Sequence, residues 1–195
     1  MSPKSKEQFA AERQRSMDAI KQAALELFAE KGYQNTSISD IAKGAGISKG
    51  LMYNYFESKE ELLRAILEEA MREGDALMAM LADPGGDPYE QLRAITYGSI
   101  QMVKSNLTYW KFLTSLAFQS TVLKSLEPLL KRQREEATAI AVKLFERMGR
   151  AEPLHEAYLF AASLDGLFLY FMVLEDEFPL EEMAEFLLRK LTTHS

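Results

Sequence analysis

Residues 37–63 read SISDIAKGAGISKGLMYNYFESKEELL, and the periodicity of this stretch decides how the chain folds. Ile38, Ile41, Ala42 and Ala45 recur at the three-and-four spacing of one helix face. Ser37 stands where an N-cap belongs, Gly46 supplies a turn, and Ser48 is placed to cap a second, shorter helix. Met52 and Phe56, four apart, point to the interior, whereas Lys49 and Tyr53, also four apart, fall on the opposite side, with Gly50 leaving room for close backbone approach. The pattern is a helix-turn-helix. Ser58 to Glu61, SKEE, matches a capping box that opens the next helix with Lys59 in its first turn.

No stretch of the chain alternates with period two, and the fold class expected is all-α. Nine helices are expected: 11–30, 37–45, 48–53, 58–82, 88–105, 108–118, 127–148, 153–174 and 179–192. Pro128, Pro153 and Pro179 each stand where a helix can begin without losing a hydrogen bond. Residues 1–10 read as a flexible tail, 11–57 as the helix-turn-helix domain and 58–195 as a larger helical domain. Two helices as short as the second and third are marginal alone. Ala24, Leu27, Phe28, Leu62 and Leu63 are the neighbours expected to hold them.

The 195 residues carry a net charge of −6, unevenly spread: residues 1–60 hold nine Lys/Arg against eight Asp/Glu, so the acidic balance lies in the remainder. Local placement outweighs the total, because screening cuts charge interactions off beyond about 8 Å at physiological ionic strength. The chain has no cysteine and two histidines, His155 and His194, which removes disulfides, thiol chemistry and a typical zinc site. There is no nucleophile elbow and no phosphate loop, so an enzyme is not expected, nor a cofactor or a metal. The polar N-terminal residues contain no apolar signal segment, and a cytoplasmic location is expected. The run 157–174, AYLFAASLDGLFLYFMVL, approaches membrane-spanning length but holds Asp165 and lacks flanking basic residues, so it reads as a helix buried by protein.

The polar groups of the opening stretch fit a short helix lying in a DNA major groove. Ser48, Lys49, Tyr53, Tyr55 and Lys59 would grip phosphates, Leu51 would touch a thymine methyl or pack internally, and Asn54 or Lys49 would reach base edges. A helix N-terminus with Lys59 beside it is itself an anion site. On that assignment Lys59→Ala weakens every DNA sequence alike and lowers the salt slope by about one.

Residues 12–63, and within them LFAEKGYQNTSISDIAKGAGIS and LMYNYFESKEELL, resemble the DNA-binding domain of the TetR family of bacterial transcriptional regulators almost position by position. The resemblance places Thr36 and Ser37 at the start of the second helix, Ser48, Lys49, Gly50, Leu51 and Tyr53 on the recognition helix, and Tyr55 and Lys59 on backbone phosphate. Tyr55 stands where the family commonly has histidine. Beyond residue 82 the likeness rests on length, helical pattern and helix order. It implies a homodimer formed by the last two helices and a small-molecule pocket for an apolar or aromatic effector, with Tyr97, Met102, Trp110, Phe112, Phe118, Asp165, Phe168 and Met172 as lining candidates. Asp165 would meet a cationic ligand or pair with an arginine across the dimer seam. The function implied is a repressor of a pseudo-palindromic operator; the competing reading is a helix-turn-helix used as an architectural or protein-binding module.

Overall fold

The computed structural model describes residues 5–81, 85–116 and 120–192. Its described elements are helical: α1 (Lys6–Lys31), α2 (Ile38–Gly44), α3 (Lys49–Met52), α4 (Lys59–Leu81), α5 (Pro88–Ser105), α6 (Leu107–Leu116), α7 (Ser120–Arg147), α8 (Pro153–Leu174) and α9 (Leu180–Thr192), with a 3-10 turn at Glu175–Glu177. The chain divides into two compact units, Met1–Ala70 and Met71–Ser195, so the division falls inside α4 rather than at its start. The reason is apolar: Leu62, Leu63, Ile66 and Leu67 in the first half of α4 are all buried.

In the first unit, α1 begins at Lys6, earlier than the flexible tail expected over residues 1–10 allows. Ser5 accepts from the Gln8 amide while the Gln8 side chain accepts from the Ser5 amide, a reciprocal cap that lets the polar first turns form. The core comprises Ile20, Ala24, Leu25 and Phe28 of α1, Tyr33, Ile41 and Ala42, Met52 and Phe56, and the α4 leucines. Each fully buried side chain of this size contributes about 1.5–3 kcal/mol of transfer free energy. Lys21 of α1 reaches Glu69 of α4 at 2.5 Å and Asp18 at 2.9 Å.

In the second unit one apolar cluster joins Leu92 and Ile95 of α5, Leu144, Phe145 and Met148 of α7, Phe160 and Leu164 of α8, and Leu188 and Leu191 of α9. A second joins Ile100 and Val103 to Phe171, Leu180 and Ala184. Ion pairs Arg93–Glu185 at 3.0 Å and Lys104–Glu181 at 2.6 Å cross from α5 to α9. Pro128 does not open α7: the helix starts at Ser120 and carries the proline inside. A proline inside a helix gives up its amide hydrogen bond and crowds the carbonyl four residues back, which bends the helix.

The apolar run of α8 is long and hydrophobic enough to cross a membrane by length and composition, yet it packs one face into the second unit: Ala157, Phe160, Leu164, Phe171 and Met172 are buried. The other face of α8 is left uncovered within the single chain. Leu154, Tyr158, Leu159, Leu169, Tyr170, Val173 and Leu174 are exposed, as are Met183 and Phe186 of α9.

Candidate nucleic-acid interface

The helix-turn-helix is built from local hydrogen bonds that its sequence dictates. Ser37 Oγ accepts from the Asp40 amide at 3.1 Å, and the Asp40 carboxylate accepts from the Ser37 amide at 3.1 Å and from its hydroxyl at 2.5 Å. These bonds, the hydroxyl's first, hold the Asp40 carboxyl below its ordinary range. At the far end of α2 the Ile47 amide donates to Ala42 O at 2.9 Å and Gly46 to Lys43 O at 3.2 Å, with Gly46 at φ 69°. That is a Schellman stop, which needs the left-handed conformation that glycine adopts without strain. Ser48 Oγ then accepts from the Leu51 amide at 3.1 Å and starts α3.

This framing fixes which way α3 faces. Met52 and Phe56 are buried, whereas Lys49, Gly50 and Asn54 are exposed, Leu51 is 39% exposed and Tyr53 47%. Leu51 therefore points outward rather than packing internally. A Cβ added at Gly50 would meet nothing within 4 Å, so the protein's own packing does not explain the glycine. An outward row of one lysine, one leucine, one tyrosine and one asparagine over a rigid apolar floor offers donors for phosphates and base edges and a methyl-compatible contact.

Four expected residues sit differently. Thr36 is buried, its hydroxyl 3.0 Å from Gly32 O and 3.2 Å from Leu27 O. Lys59 sends Nζ to the carbonyls of Tyr33 at 2.7 Å and Thr36 at 2.8 Å, and reaches Gln34 O at 3.4 Å, with the Tyr33 ring 4.4 Å away. An ammonium has three protons, and these acceptors engage them inside the protein. Burial lowers the Lys59 pKa, the nearby Glu60 charge acting against it. Ser58 does cap α4, accepting from the Glu61 amide at 3.0 Å, but the Glu61 carboxylate closes on the Glu57 amide instead of completing the expected box. Tyr55 is half-buried beneath Arg13, whose guanidinium lies 5.1 Å from its ring and donates to Asn54 O at 3.4 Å. Sequence reasoning did not single out Arg13; the contact spans from residue 13 to residue 55, and no local spacing announces it.

In the second unit a cleft of about 230 Å³ opens between α5, α7 and α8. Ile95, Leu144, Phe160, Leu164 and Phe168 form its apolar lining, and Ser99, Arg134, Thr138 and Asp165 supply polar groups. Two lining candidates are thus present, Asp165 and Phe168. Burial among apolar side chains pushes the Asp165 carboxyl up, although its residue surface is still exposed on α8. The others are packing groups. Phe112 is buried, Met172 is buried with the Thr114 hydroxyl 3.6 Å from its sulfur, and Trp110 donates Nε1 to Met102 O at 3.1 Å. Tyr97 donates its hydroxyl to Glu185 at 2.8 Å. None of these five lines the cleft; Phe118 lies outside the described residues. Among the described residues no group of acidic or histidine side chains is arranged to hold a metal.

Residues 20–66 match the family model for bacterial regulatory proteins of the tetR family. The chain is 31% identical over 165 residues to the HTH-type transcriptional regulator BetI of Stenotrophomonas maltophilia, covering 82% of this chain and 83% of that protein. It is 31% identical over 157 residues to BetI of Escherichia coli O157:H7, covering 75% and 77%. Among solved structures, a TetR-like transcriptional regulator from Rhodococcus sp. RHA1 superposes with a TM-score of 0.76 at 25% identity, covering 98% of this chain and 96% of that one. AibR, solved in complex with isovaleryl coenzyme A and operator DNA, gives 0.73 at 20% identity over 91% and 98%, which is a likeness of fold.

Proposed function

We propose that this chain, which belongs to the TetR family of bacterial regulatory proteins, is a cytoplasmic homodimeric repressor whose two α3 helices enter successive major grooves of a pseudo-palindromic operator. The observation that carries this reading is the outward set Lys49, Leu51, Tyr53 and Asn54 on a helix whose other face, Met52 and Phe56, is buried. In this reading Ser37, Ser48, Lys49, Tyr53 and Tyr55 position the phosphate backbone and Leu51 and Asn54 read bases. Thr36 supports the turn rather than touching DNA.

Dimerisation is supported by α8 and α9. Tyr158, Ala162, Asp165, Leu169 and Val173 recur on one exposed stripe of α8, and Phe186 of α9 is nearly half exposed. An apolar face of this length is more than a monomer ordinarily leaves in water. A second copy is its natural occupant in a family built on paired recognition helices.

The effector is a small apolar or aromatic molecule held in the helical unit, for which the cleft beside Phe160 and Phe168 is suited. Asp165 lies on both the stripe and the cleft, so ligand and dimer contact would share one residue. An effector acts only by preferring one of two states of the dimer, and α4, whose residues fall on both sides of the 70/71 division, would carry the change. The direct test is binding of the protein to the DNA upstream of its own gene with salt varied. Salt-dependent, saturable binding supports the reading; absence of binding at low salt defeats it.

A further inference from the structure

The turn between α1 and α2 contains bonds that neither α3 nor the cleft explains. Lys59 engages the carbonyls of Tyr33, Gln34 and Thr36, and the Thr36 hydroxyl engages those of Leu27 and Gly32. The Asn35 side-chain amide adds a bond to Lys31 O at 3.0 Å. Six backbone acceptors between residues 27 and 36 are thereby tied to three side chains, one of them that of the first residue of α4. The ammonium also sits over the Tyr33 ring, whose own edge is buried in the core. Directly after this turn comes Ser37, which caps α2. Both ends of α2 are therefore set by fixed points: the Schellman stop at Gly46 and this staple.

From these contacts we propose that Lys59 is a positioning residue for DNA binding, which holds the Tyr33–Ser37 turn and so the N-terminal end of α2 in place, and is not itself a phosphate ligand. Turning Nζ outward to a phosphate would strip the part-buried carbonyls of Tyr33 and Thr36 of their donor together, and an acceptor left without a partner is costly. Lys59 thus acts on DNA through Ser37 and the first amides of α2. The inference rests on the DNA-binding reading for its consequence but not for its geometry, and the test separates the two.

The experiment uses the full chain, a duplex from upstream of its own gene, and the variants Lys59→Met, Lys59→Arg and Thr36→Val. Operator affinity is followed over a salt series, and amide hydrogen exchange is followed without DNA. Removing charge-assisted bonds should weaken Lys59→Met roughly ten- to hundredfold at fixed salt while the slope of log K against log salt stays within about half a unit of the parent. Exchange at residues 33–38 should accelerate in the same variant. Thr36→Val, which keeps the lysine, should reproduce both changes in milder form, and Lys59→Arg, which keeps a multiple donor, should recover most of the affinity.

A slope that falls by about one with exchange at 33–38 unchanged makes Lys59 a phosphate ligand and overturns the proposal. Unchanged affinity with unchanged exchange overturns it too. Should Lys59→Met not fold, Thr36→Val and Lys59→Arg decide by the same slope and exchange. If the parent chain binds no DNA, the functional reading fails, while exchange alone still reports whether Lys59 holds the turn.

Discussion

Met52 and Tyr53 are consecutive in the chain and face opposite ways: Met52 has 0% of its surface exposed and Tyr53 47%. The split is what a helix of this length needs to present a surface, since α3 alone has too few residues to be stable and takes its rigidity from the methionine beneath it. A chain in which both residues were buried, or both exposed, would have no fixed face to offer a groove.

Gly50 gives the sharpest test of that face. A Cβ there meets nothing in the free protein, and alanine is the better helix former by about 0.8–1.0 kcal/mol. Gly50→Ala should leave the melting temperature unchanged or raise it, and should lower operator affinity because the added methyl stands between helix and DNA. A parallel loss of both quantities, measured by calorimetry and anisotropy, would remove DNA contact as the reason for the glycine.

The stripe on α8 predicts an oligomeric state. Val173 is 71% exposed, and a charge at that position leaves the fold of one protomer untouched. Val173→Glu should convert a dimer to a monomer in sedimentation at micromolar concentration, with unchanged helicity. A parent that sediments as a monomer contradicts the assignment.

Asp165 supplies a pH prediction. Its pKa is raised by burial, so the native state holds the proton more tightly than the unfolded state does. Stability attached to this group therefore grows as pH falls toward and below the raised value, and is absent at neutral pH. Asp165→Asn should raise the melting temperature at pH 7, and the gain should shrink as the pH is lowered. A variant less stable than the parent at pH 7 would mean that the ionised carboxylate has a partner, as a salt bridge across a dimer seam requires.

Asp40 behaves in the opposite sense. Its pKa is held below the ordinary 3.8 by bonds to Ser37, so its contribution is present above that value and is lost as the pH falls through the lowered native one. The loss of helix on acidification between about pH 4 and 2, followed by circular dichroism, should be blunted in Asp40→Asn. Equal acid sensitivity in parent and variant would assign the transition to other carboxylates.

The helix-turn-helix was legible because its determinants are local: serines three residues from the amides they cap, a glycine at the one left-handed position, and apolar residues four apart. The signal that starts α1, Ser5 with Gln8, is of the same local kind and was masked by the polar composition around it. Lys59, Thr36 and Arg13 were not legible in the same way. Apart from the Thr36 bond to Gly32 O four residues back, their partners lie 23 to 26, 9 and 41 residues away, and the fold brings those together. The same holds for the cleft: aromatic residues at helical spacing look alike whether they pack, as Phe112 does, or line a surface, as Phe168 does.

The most direct measurement of the central claim is equilibrium binding of the full chain and of Tyr53→Ala to the duplex upstream of its gene, over 50–200 mM salt, a range across which several phosphate contacts change affinity by about 10³–10⁵. A linear fall of log K with log salt is expected for the parent, and a marked loss of affinity for Tyr53→Ala at an unchanged melting temperature. Indistinguishable binding by parent and variant, or none by either, would contradict it.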